Sequence, residues 1–382
     1  MSCSAALLAA QGTYIVDIAN PPGTDYTQIA VAALAVPSGS VLLVRAGVYQ
    51  PVVIHAKSLT VLCDANVFAG EPTLGPFLRI QYIQAAQRVH VRGLRQNPAS
   101  PGTVTVTSAA GPVVLDGNGS TLQVPGTCMI VSGSNQLAVR NYSMFGRPPL
   151  TVYWSKVVVE NCTLTGLDQP YAPASGLDIS GGEMQTVHSS IRGGHGYSIY
   201  VKGTGVIDVP PGPAVSMFAS SLRVLGTAAN SVLEGTGPNG SGAIQGSGVV
   251  RVDAPVVLGP VPPSTGPPVT RPWMPSVTTI DAPPGGTIVV RRYGPTGVPF
   301  AIGVSLPAPA FAWPGAMDPL WLDPGAMYVE AIGTVSVAGP FAVQKPVPNA
   351  VTLRGLAMHW QSAELDAAGA LVFSNPSCCL IH

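Results

Sequence analysis

The stretch "PSGSVLLVRAGVYQPVVIHAKSLTVLCD", Pro37 to Asp64, decides the fold of this 382-residue chain. After the turn residues "PSG" come three short runs rich in Val, Ile and Leu, the residue types that β-strands favour. Each run ends after a few residues and never develops the spacing of three and four that a helix needs. The stretch therefore predicts short strands joined by tight turns.

Immediately upstream, "GTDYTQIAVAALAV", Gly23 to Val36, predicts a short amphipathic helix. Thr24 or Asp25 is the expected N-cap, since both side chains can accept a hydrogen bond from the first helical turn. The expected apolar face consists of Ile29, Ala33, Leu34 and Val36.

Helix and strands together resemble the opening of the pectin-lyase-like right-handed parallel β-helix proteins. In that superfamily an amphipathic helix caps the N-terminal end, and a turn of the form GS-hydrophobic-R/K-x-G-x-Y starts the first coil. The matching residues are "PSGSVLLVRAGVYQPVVI", Pro37 to Ile54, followed by "KSLTVLCD", Lys57 to Asp64. The resemblance implies an all-β solenoid and carries little about chemistry.

Internal repetition in the middle of the chain also predicts a solenoid. "LAVRNYSMFG" ends at Gly146, "VVVENCTLTG" at Gly166, and "TVHSSIRGG" has its matching glycine at Gly193. The Ser-Ser-aliphatic-Arg pattern of residues 189–192 recurs at residues 220–223. Asn141 and Asn161 occupy equivalent positions, so stacked coils are expected to align them as a ladder at a buried corner.

The local composition of the sequence changes along the chain and predicts three parts. Residues 1–253 are predicted to form the β-helix. Residues 254–275 contain eight prolines and are predicted to form an extended linker or strap. Residues 276–382 return to short strands and are predicted to form a small β-sandwich-like domain, with antiparallel hairpins turning at "GTVSVAGP" and "DAAGA".

Composition excludes several functions. Only 9% of residues are charged, and 18 basic residues balance 18 acidic ones, so no net field would attract nucleic acid or an anionic membrane. No apolar run is long enough to span a bilayer. The Ala-, Ser- and Thr-rich, Lys-poor composition predicts an exported bacterial protein, extracellular or on the cell surface, although "MSCSAALLAA" makes a weak signal peptide.

The six cysteines have no C-x-x-C spacing, which argues against a zinc or redox site. Two expectations stay open for them. Either they are buried or free thiols, or one of the adjacent C-terminal pair staples the tail in an oxidising compartment. The cysteines are Cys3, Cys63, Cys128, Cys162, Cys378 and Cys379.

The candidate chemistry lies in "RGGHGYSIYVKG", Arg192 to Gly203. Polygalacturonase-like hydrolases carry a Gly-His-Gly one coil after an Asp-bearing strand, and "GLDIS" with Asp178 followed by His195 resembles that order. Glycoside hydrolysis needs two carboxyl groups. The family's adjacent aspartate pair is absent here, and of its Arg-x-Lys only Lys202 remains.

A lyase needs a base and a cation that stabilises the developing enediolate. The candidate catalytic residues for either enzyme are Asp178, Arg192, His195 and Lys202, and the candidate ligand-binding residues are Tyr197 and Tyr200. No cofactor or metal is predicted; only a lyase would use Ca²⁺, held by Asp168 and Asp178. Strand alternation puts Tyr197 and Tyr200 on opposite faces.

The competing interpretation is that this stretch is one more coil, with glycines supplying positive φ at its corner. We therefore predict a non-catalytic exported scaffold, a surface or assembly protein that binds glycans or a protein partner. The alternatives are a polysaccharide lyase or hydrolase acting on an acidic polysaccharide, and a self-assembling fibre subunit. The C-terminal tryptophans are expected either to stack on sugars or to fill the sandwich core; they are Trp273, Trp313, Trp321 and Trp360.

Overall fold

A computed structural model describes residues 12–70, 75–168, 173–201, 205–236, 240, 242–262, 265–316, 318–335, 339–366 and 368–382. The first part of the chain contains, in order, β1 (Thr13–Val16), α1 (Ile29–Ala35), β2 (Ser40–Val44), β3 (Gly47–Tyr49), β4 (Val52–His55), β5 (Leu59–Cys63), β6 (Val67–Ala69), β7 (Pro76–Gln81), β8 (Val89–Arg92), β9 (Arg95–Gln96), β10 (Thr103–Thr107), β11 (Val113–Gln123), β12 (Met129–Ser132), β13 (Leu137–Gly146), β14 (Leu150–Tyr153), β15 (Lys156–Glu160), β16 (Thr163–Gly166), β17 (Leu177–Ser180), β18 (Glu183–Val187), β19 (Ser190–Arg192), β20 (Tyr197–Val201), β21 (Gly205–Val209), β22 (Val215–Leu225), β23 (Ser231–Leu233), β24 (Ile244–Val252), β25 (Val257–Leu258) and β26 (Val269–Thr270).

The second part contains β27 (Ser276–Ile280), β28 (Thr287–Tyr293), β29 (Pro299–Ser305), β30 (Pro307–Phe311), β31 (Leu320–Leu322), β32 (Tyr328–Thr334), β33 (Phe341–Pro346), a 3-10 helix (Val351–Leu353), β34 (Ala357–Leu365), β35 (Leu371–Phe373) and β36 (Ser377–Leu380).

The first part winds into a right-handed parallel β-helix with three faces, which confirms the predicted fold. Face A consists of β2, β5, β8, the first halves of β11 and β13, β15, β18, the second halves of β22 and β24, and β26. Face C follows along the chain with β3, β6, β9, the second halves of β11 and β13, β16, β19, β23 and β25. Face B completes each coil with β4, β7, β10, β12, β14, β17 and the first halves of β22 and β24.

The interior of the solenoid is filled by the inward-facing side chains of these strands. Val, Ile and Leu from all three faces form one continuous buried cluster, to which α1 contributes Ile29, Ala32 and Ala33. Because successive strand residues point to opposite sides, each coil buries one alternate set and turns the other set outward. On the solenoid, side chains that can contact a ligand therefore belong to the outward set and to the corners.

The capping helix forms where the sequence predicts it, but two details of the prediction are wrong. Its N-cap is Gln28, with no side-chain hydrogen bond, whereas the Asp25 carboxylate accepts the Ile15 N–H at 2.7 Å. Leu34 is 85% exposed instead of packing inward. The Asp25 carboxylate, which was expected to cap the helix, therefore binds the backbone of β1 instead.

Two corners of the solenoid are turned by residues in the left-handed region of φ. At the corner from face B to face A these residues are Ala56, Tyr82, Ser108, Gly133, Trp154, Gly181 and Ala219. The N–H of Tyr82, for example, reaches the Thr107 carbonyl of the next coil at 3.1 Å. A single left-handed residue per coil thus reverses the chain while keeping the coils hydrogen-bonded.

Asn141 and Asn161 mark the corner from face A to face C, with φ of 56° and 52°. The pairing of Arg140 with Glu160 confirms that the two asparagines are equivalent. The predicted buried ladder is wrong, since Asn161 is exposed and Asn141 Nδ2 donates instead to Asp116 Oδ1 at 2.9 Å. Asparagine stands at these positions because it tolerates the left-handed conformation.

One of the repeats that the sequence displays is misleading. Gly146 pairs with Gly166, as predicted. However, Ser190–Arg192 lies in face C, whereas residues 221–223 lie in face A and pair with β18. The β20–β21 hairpin and the longer β22 displace the later copy, so similar sequences fall on different faces.

The second part of the chain forms antiparallel sheets that cover the outer side of face A. One sheet has the order β27-β28-β33; another has the order β32-β29-β34-β35, with β36 also paired to β34. The predicted hairpin at "DAAGA" is confirmed by the pairing of β34 with β35. The one at "GTVSVAGP" is wrong, because β32 pairs with β29 while β33 pairs with β28.

Apolar contacts fasten these sheets to face A. One buried cluster joins Val41, Leu62 and Val114 of the solenoid to Ala357, Cys378 and Leu380. Another joins Val158, Val187 and Leu225 to Met274 and Trp321. Trp321 and Trp360 are buried, as one of the two expectations for the tryptophans required, whereas Trp273 and Trp313 keep exposed surface.

Candidate functional site

The outer side of face B carries exposed side chains on several strands, including Val53, Arg79 and Phe218. On β14, β17 and β22 two outward rows run across the strands. Tyr153 pairs with Ser180 and Ser180 with Phe218, while Thr151 pairs with Asp178 and Asp178 with Ser216. This surface is our candidate site, and we call it the face B platform.

Aromatic side chains dominate one edge of the face B platform. Trp154 is 70% exposed and Phe218 is 69% exposed. The ring centroids of Tyr153 and Trp154 lie 6.1 Å apart. The indole of Trp154 packs against Gly181, where a side chain would not fit, since a Cβ at Gly181 would lie 2.5 Å from Trp154 Cδ1. Three coils earlier, the exposed Tyr82 occupies the same corner.

Trp154 stands in a backbone conformation that does not suit it. Its φ is 42°, a region that costs a non-glycine residue about 1–2 kcal/mol. Gly133 and Gly181 hold the neighbouring positions of this corner without that cost. Ala56, Ser108 and Ala219 adopt the same conformation at this corner, so what distinguishes Trp154 is its exposed ring. Sequence reasoning missed this residue, although the adjacent aromatics in "TVYWS" were a signal.

Asp178 is the charged residue of the face B platform next to these rings. Its Oδ1 accepts a hydrogen bond from the Ser175 hydroxyl. Burial raises the pKa of the Asp178 carboxyl, and the Ser175 hydrogen bond partly opposes the rise. A half-buried carboxyl of this kind can orient a sugar hydroxyl or act as a general acid.

His195 lies at the neighbouring corner, where the chain passes from face C to face B. The His195 N–H donates to Asp168 Oδ1 at 2.5 Å, and its Nδ1 hydrogen-bonds with the Thr236 hydroxyl. The Arg147 guanidinium donates to the Asp168 carbonyl at 3.3 Å. The exposed His195 is thus anchored from two coils.

The glycines around His195 do not have the positive φ that the sequence interpretation assigned to them. A Cβ at Gly193 would lie 1.9 Å from the Gly212 carbonyl oxygen, and one at Gly194 would lie 2.6 Å from that of Leu167. Gly212 N–H in turn donates to the Gly194 carbonyl at 2.9 Å. Glycine is needed here because backbones of adjacent coils approach closely.

The remainder of the stretch leaves the solenoid instead of forming a coil, which corrects that interpretation. β20 and β21 pair only with each other, as an antiparallel hairpin. Tyr200 is 76% exposed, while Tyr197 is half-buried. Lys202 lies outside the described residues. The hairpin therefore presents Tyr200 beside the corner that holds His195.

The predicted catalytic residues are distributed over more than one surface. Asp178 lies in face B, exposed Arg192 ends β19 in face C, and His195 lies in the loop between these faces. Asp168, named for Ca²⁺ binding, contacts His195 rather than Asp178. Within the described ranges, no group of three or more His, Cys, Asp or Glu could hold a metal ion.

Charged side chains concentrate instead between face A and the C-terminal sheets. The Arg140 guanidinium contacts Asp281 at 3.1 Å and the Thr279 carbonyl at 3.0 Å. Asp281 also lies 3.4 Å from Arg92. Further along, Asp318 bridges Arg223 at 3.1 Å and Arg251 at 2.5 Å. We call this set, together with Asp116 and Glu160, the face A seam.

Ionisation within the face A seam is strongly perturbed. Burial alone would lower the pKa of Arg140, but the carboxylates of Asp281 and Glu160 hold it well above its usual value. Burial raises the pKa of Glu160 to about 7, with Arg140 partly opposing the rise. Burial would raise the pKa of Asp281, but Arg140, the Leu380 N–H, Asp116 and Arg92 together lower it. These groups join two parts of the protein, and Arg92, Asp116, Arg140 and Asp281 also line a cavity of about 490 Å³ that opens to the surface.

The remaining findings concern thiols and membranes. The five cysteines in the described part of the chain are buried and free, as one of the two expectations required; Cys3 lies outside it. Burial raises the pKa of Cys162 to about 12 and that of Cys379 to about 12, so both stay protonated at neutral pH. No helix among the described residues has the length and apolarity to cross a membrane.

No protein-family model and no curated protein matches the chain. Among solved structures, full-length tailspike protein 2 from the Escherichia coli O157:H7 bacteriophage CAB120 is similar over 95% of this chain and 63% of its own, with 9% identity and a TM-score of 0.29. Escherichia coli ybhc matches over 67% of this chain and 77% of its own, with 12% identity and a TM-score of 0.25.

The enzymatically active domain of bacteriophage CBA120 tailspike protein 2 matches over 87% of this chain and 71% of its own. Its identity is 8% and its TM-score is 0.22. This chain thus spans less than two thirds of the full-length tailspike. Nothing about its function follows from likenesses this distant.

Proposed function

We propose that the protein is a non-catalytic, exported β-helix scaffold that binds a glycan chain on the face B platform. The single observation that carries the proposal is the exposed indole of Trp154, held in a strained conformation beside Tyr153 and seated on Gly181. Aromatic rings bury large apolar area at low entropic cost, and their faces suit the C–H faces of pyranose rings.

The surroundings of Trp154 favour a sugar over a protein or a lipid. Small hydroxyl side chains separate the rings, with Ser132 before Tyr153 and Ser180 between Tyr153 and Phe218. Tyr153 and Phe218 lie two coils apart, a distance of ~9.6 Å at the usual strand spacing. That distance corresponds to two sugar units along an extended chain. Asp178 then lies within reach of hydroxyl groups.

Affinity electrophoresis in gels containing different polysaccharides, preceded by a glycan array, tests this function. Trp154→Ala and Phe218→Ala should each weaken binding of the retained glycan roughly tenfold, the loss expected for one stacked ring. Tyr328→Ala is the matched control, because Tyr328 is an exposed aromatic of the C-terminal sheets. Equal binding by all four proteins, or binding to no glycan, would refute the proposal.

The alternative function is a polysaccharide lyase or hydrolase, and the observation in its favour is the raised pKa of Asp178 beside the aromatic rings. Under this alternative Asp178, Arg192, His195 and Lys202 act on an acidic polysaccharide, with Tyr197 and Tyr200 contacting it. Unsaturated uronates or new reducing ends released by the wild type, and abolished by Asp178→Asn, would replace the scaffold with the enzyme. A self-assembling fibre would instead be recognised by its size in solution.

A further inference from the structure

A cavity lies at the first coils of face A, near the corner with face B and several coils away from Trp154. It has a volume of about 680 Å³ and opens between the first coils of face A and the segment that includes the 3-10 helix. Thr60 and His90 line it from β5 and β8, and residues 351–357 line it from the C-terminal part. This volume is in the range of small-molecule sites. We call it the face A cleft.

The charge of the face A cleft is one-sided. Arg88 and Arg354 line it, and no Asp or Glu does so among the described residues. In a chain with equal numbers of acids and bases, two guanidinium groups around a cavity whose lining has no carboxylate favour an anion there, although Asp323 lies near Arg88. The hydroxyl-bearing residues Thr13, Ser58, Thr60 and Thr352 also line the cavity.

The backbone of Arg88 is fixed at this corner, while the residue as a whole stays exposed. Its backbone N–H donates to Ser58 Oγ at 3.0 Å, which fixes the chain at this corner. Burial lowers the pKa of Arg88, and Asp323 opposes the change only in part. An anion in the cleft would return to this guanidinium the favourable interactions that burial removes.

His90 is an independent sign of a polar ligand. The residue is 5% exposed, lines the face A cleft, and its buried Nε2 has no hydrogen-bond partner among the described residues. Burial and nearby Arg88 lower the pKa of His90 to about 4, although Asp281 opposes them, so the imidazole is neutral at pH 7. A buried, unpaired ring nitrogen is costly unless a ligand or water completes its hydrogen bond.

We propose that the face A cleft binds a small anion that bears carboxylate or phosphate groups. Arg88 and Arg354 pair with the charged group, and His90 Nε2 hydrogen-bonds with a second polar atom of the same molecule. Guanidinium groups suit both anions because their fork of donors matches two acceptor oxygens. The proposal does not depend on glycan binding, since the face B platform shares none of these residues.

Isothermal titration calorimetry with inorganic phosphate, citrate, galacturonate and neutral galactose tests the proposal at constant ionic strength. The wild type should bind at least one of the three anions and not galactose; the anion that binds identifies a phosphate or a carboxylate as the ligand group. Arg88→Gln and Arg354→Gln should each weaken binding roughly tenfold, as expected for a lost charge-assisted hydrogen bond.

Arg79→Gln is the matched control, because Arg79 is an exposed arginine on the outer side of face B. It should leave the affinity within about twofold of the wild type, since Arg79 does not line the cleft. Circular dichroism confirms that each variant is folded. Absence of heat with all three anions, or an unchanged affinity in the Arg88→Gln/Arg354→Gln double variant, would overturn the proposal.

Discussion

Faces A and B belong to the same coils, yet their outward side chains differ in kind. Outward positions of face A carry Arg92, Asp116, Arg140 and Glu160; beneath the C-terminal strands the last three are buried and Arg92 is half-buried. Outward positions of face B carry hydroxyls, aromatic rings and Asp178, and they remain accessible. In the described part of this charge-poor chain, four ion pairs join the solenoid to the C-terminal part, whereas the face B platform presents rings and hydroxyls next to Asp178.

The burial of charged residues supports this difference between face A and face B. Of the 36 Asp, Glu, Lys and Arg residues in the sequence, eight in the described part of the chain are buried. Charged residues are almost never fully buried unless they are paired. The burial of those on face A indicates that the C-terminal part covers this face, whereas Arg292 and Glu364 pair with each other within the C-terminal sheets. The eight buried residues are Asp116, Arg140, Glu160, Arg223, Asp253, Arg292, Asp318 and Glu364.

The largest effect on stability is expected when one ion-pair partner is removed from the face A seam. Arg140→Met should lower the free energy of unfolding by about 3–5 kcal/mol, because Asp281 and Glu160 stay buried without their main counter-charge. Urea unfolding followed by circular dichroism measures the change.

Lys156→Met is the control for Arg140→Met. Lys156 pairs with Glu183 at 3.2 Å, but both side chains are largely exposed, so the change should cost at most about 1 kcal/mol. Equal losses in the two variants would show that the face A seam contributes no more than an ordinary surface pair.

The stability of the protein should depend on pH, because the buried Glu160 carboxyl has a raised pKa. Glu160 titrates at about 7 in the folded protein, above its usual 4.5, so its favourable contribution is complete below pH 4.5 and is lost as the pH rises to about 7. The wild type should therefore lose up to about 3 kcal/mol across this window relative to Glu160→Gln. Asp253, raised to about 6, acts in the same direction.

Unfolding midpoints between pH 4 and pH 8 measure this slope. Glu183→Gln is the control, because it removes an exposed carboxylate of face A and should keep the wild-type slope. Asp281 acts in the opposite direction: its lowered pKa adds stability above 3.8 that is lost as the pH falls further. A Glu160→Gln slope equal to that of the wild type would contradict the assignment.

The smallest effect is expected on face B. Trp154→Gly should leave the free energy of unfolding unchanged or raise it by about 1 kcal/mol, because glycine removes the strain at φ 42° while little apolar area is lost. The same variant should lose glycan binding. Thermal unfolding measures the first effect, and a loss of stability above about 1 kcal/mol would mean that the indole is structural.

The fold followed from residues whose role is local. "PSGSVLLVRAGVYQPVVI" predicted the first coil because short β-branched runs and turn residues act over a few positions. The equivalence of Gly146 and Gly166 also held. The repeat at residues 220–223 misled because an inserted hairpin, which pairs only with itself, changed the face on which the repeat lies.

The candidate site was less accessible to sequence reasoning. His195 and Asp178 were named, but Asp168 was placed with Asp178 instead of with His195. Trp154 was missed, because its importance depends on Gly181, a residue of the next coil, and on a φ value that no local pattern reveals. Spatial neighbours in this solenoid lie twenty to forty residues apart along the chain.

The amino-acid sequence was sufficient to predict a parallel β-helix poor in charge, since the alternation of apolar and polar residues in strands and the choice of turn residues depend on neighbouring residues. Only the tertiary structure decided which outward face is covered and which is open. That choice depends on where the C-terminal strands dock, and their docking depends on Arg140, Asp281 and Asp318 meeting partners at least 67 residues away. Burial, and with it the distinction between a structural ion pair and an exposed platform, exists only after the coils and the C-terminal sheets have come together.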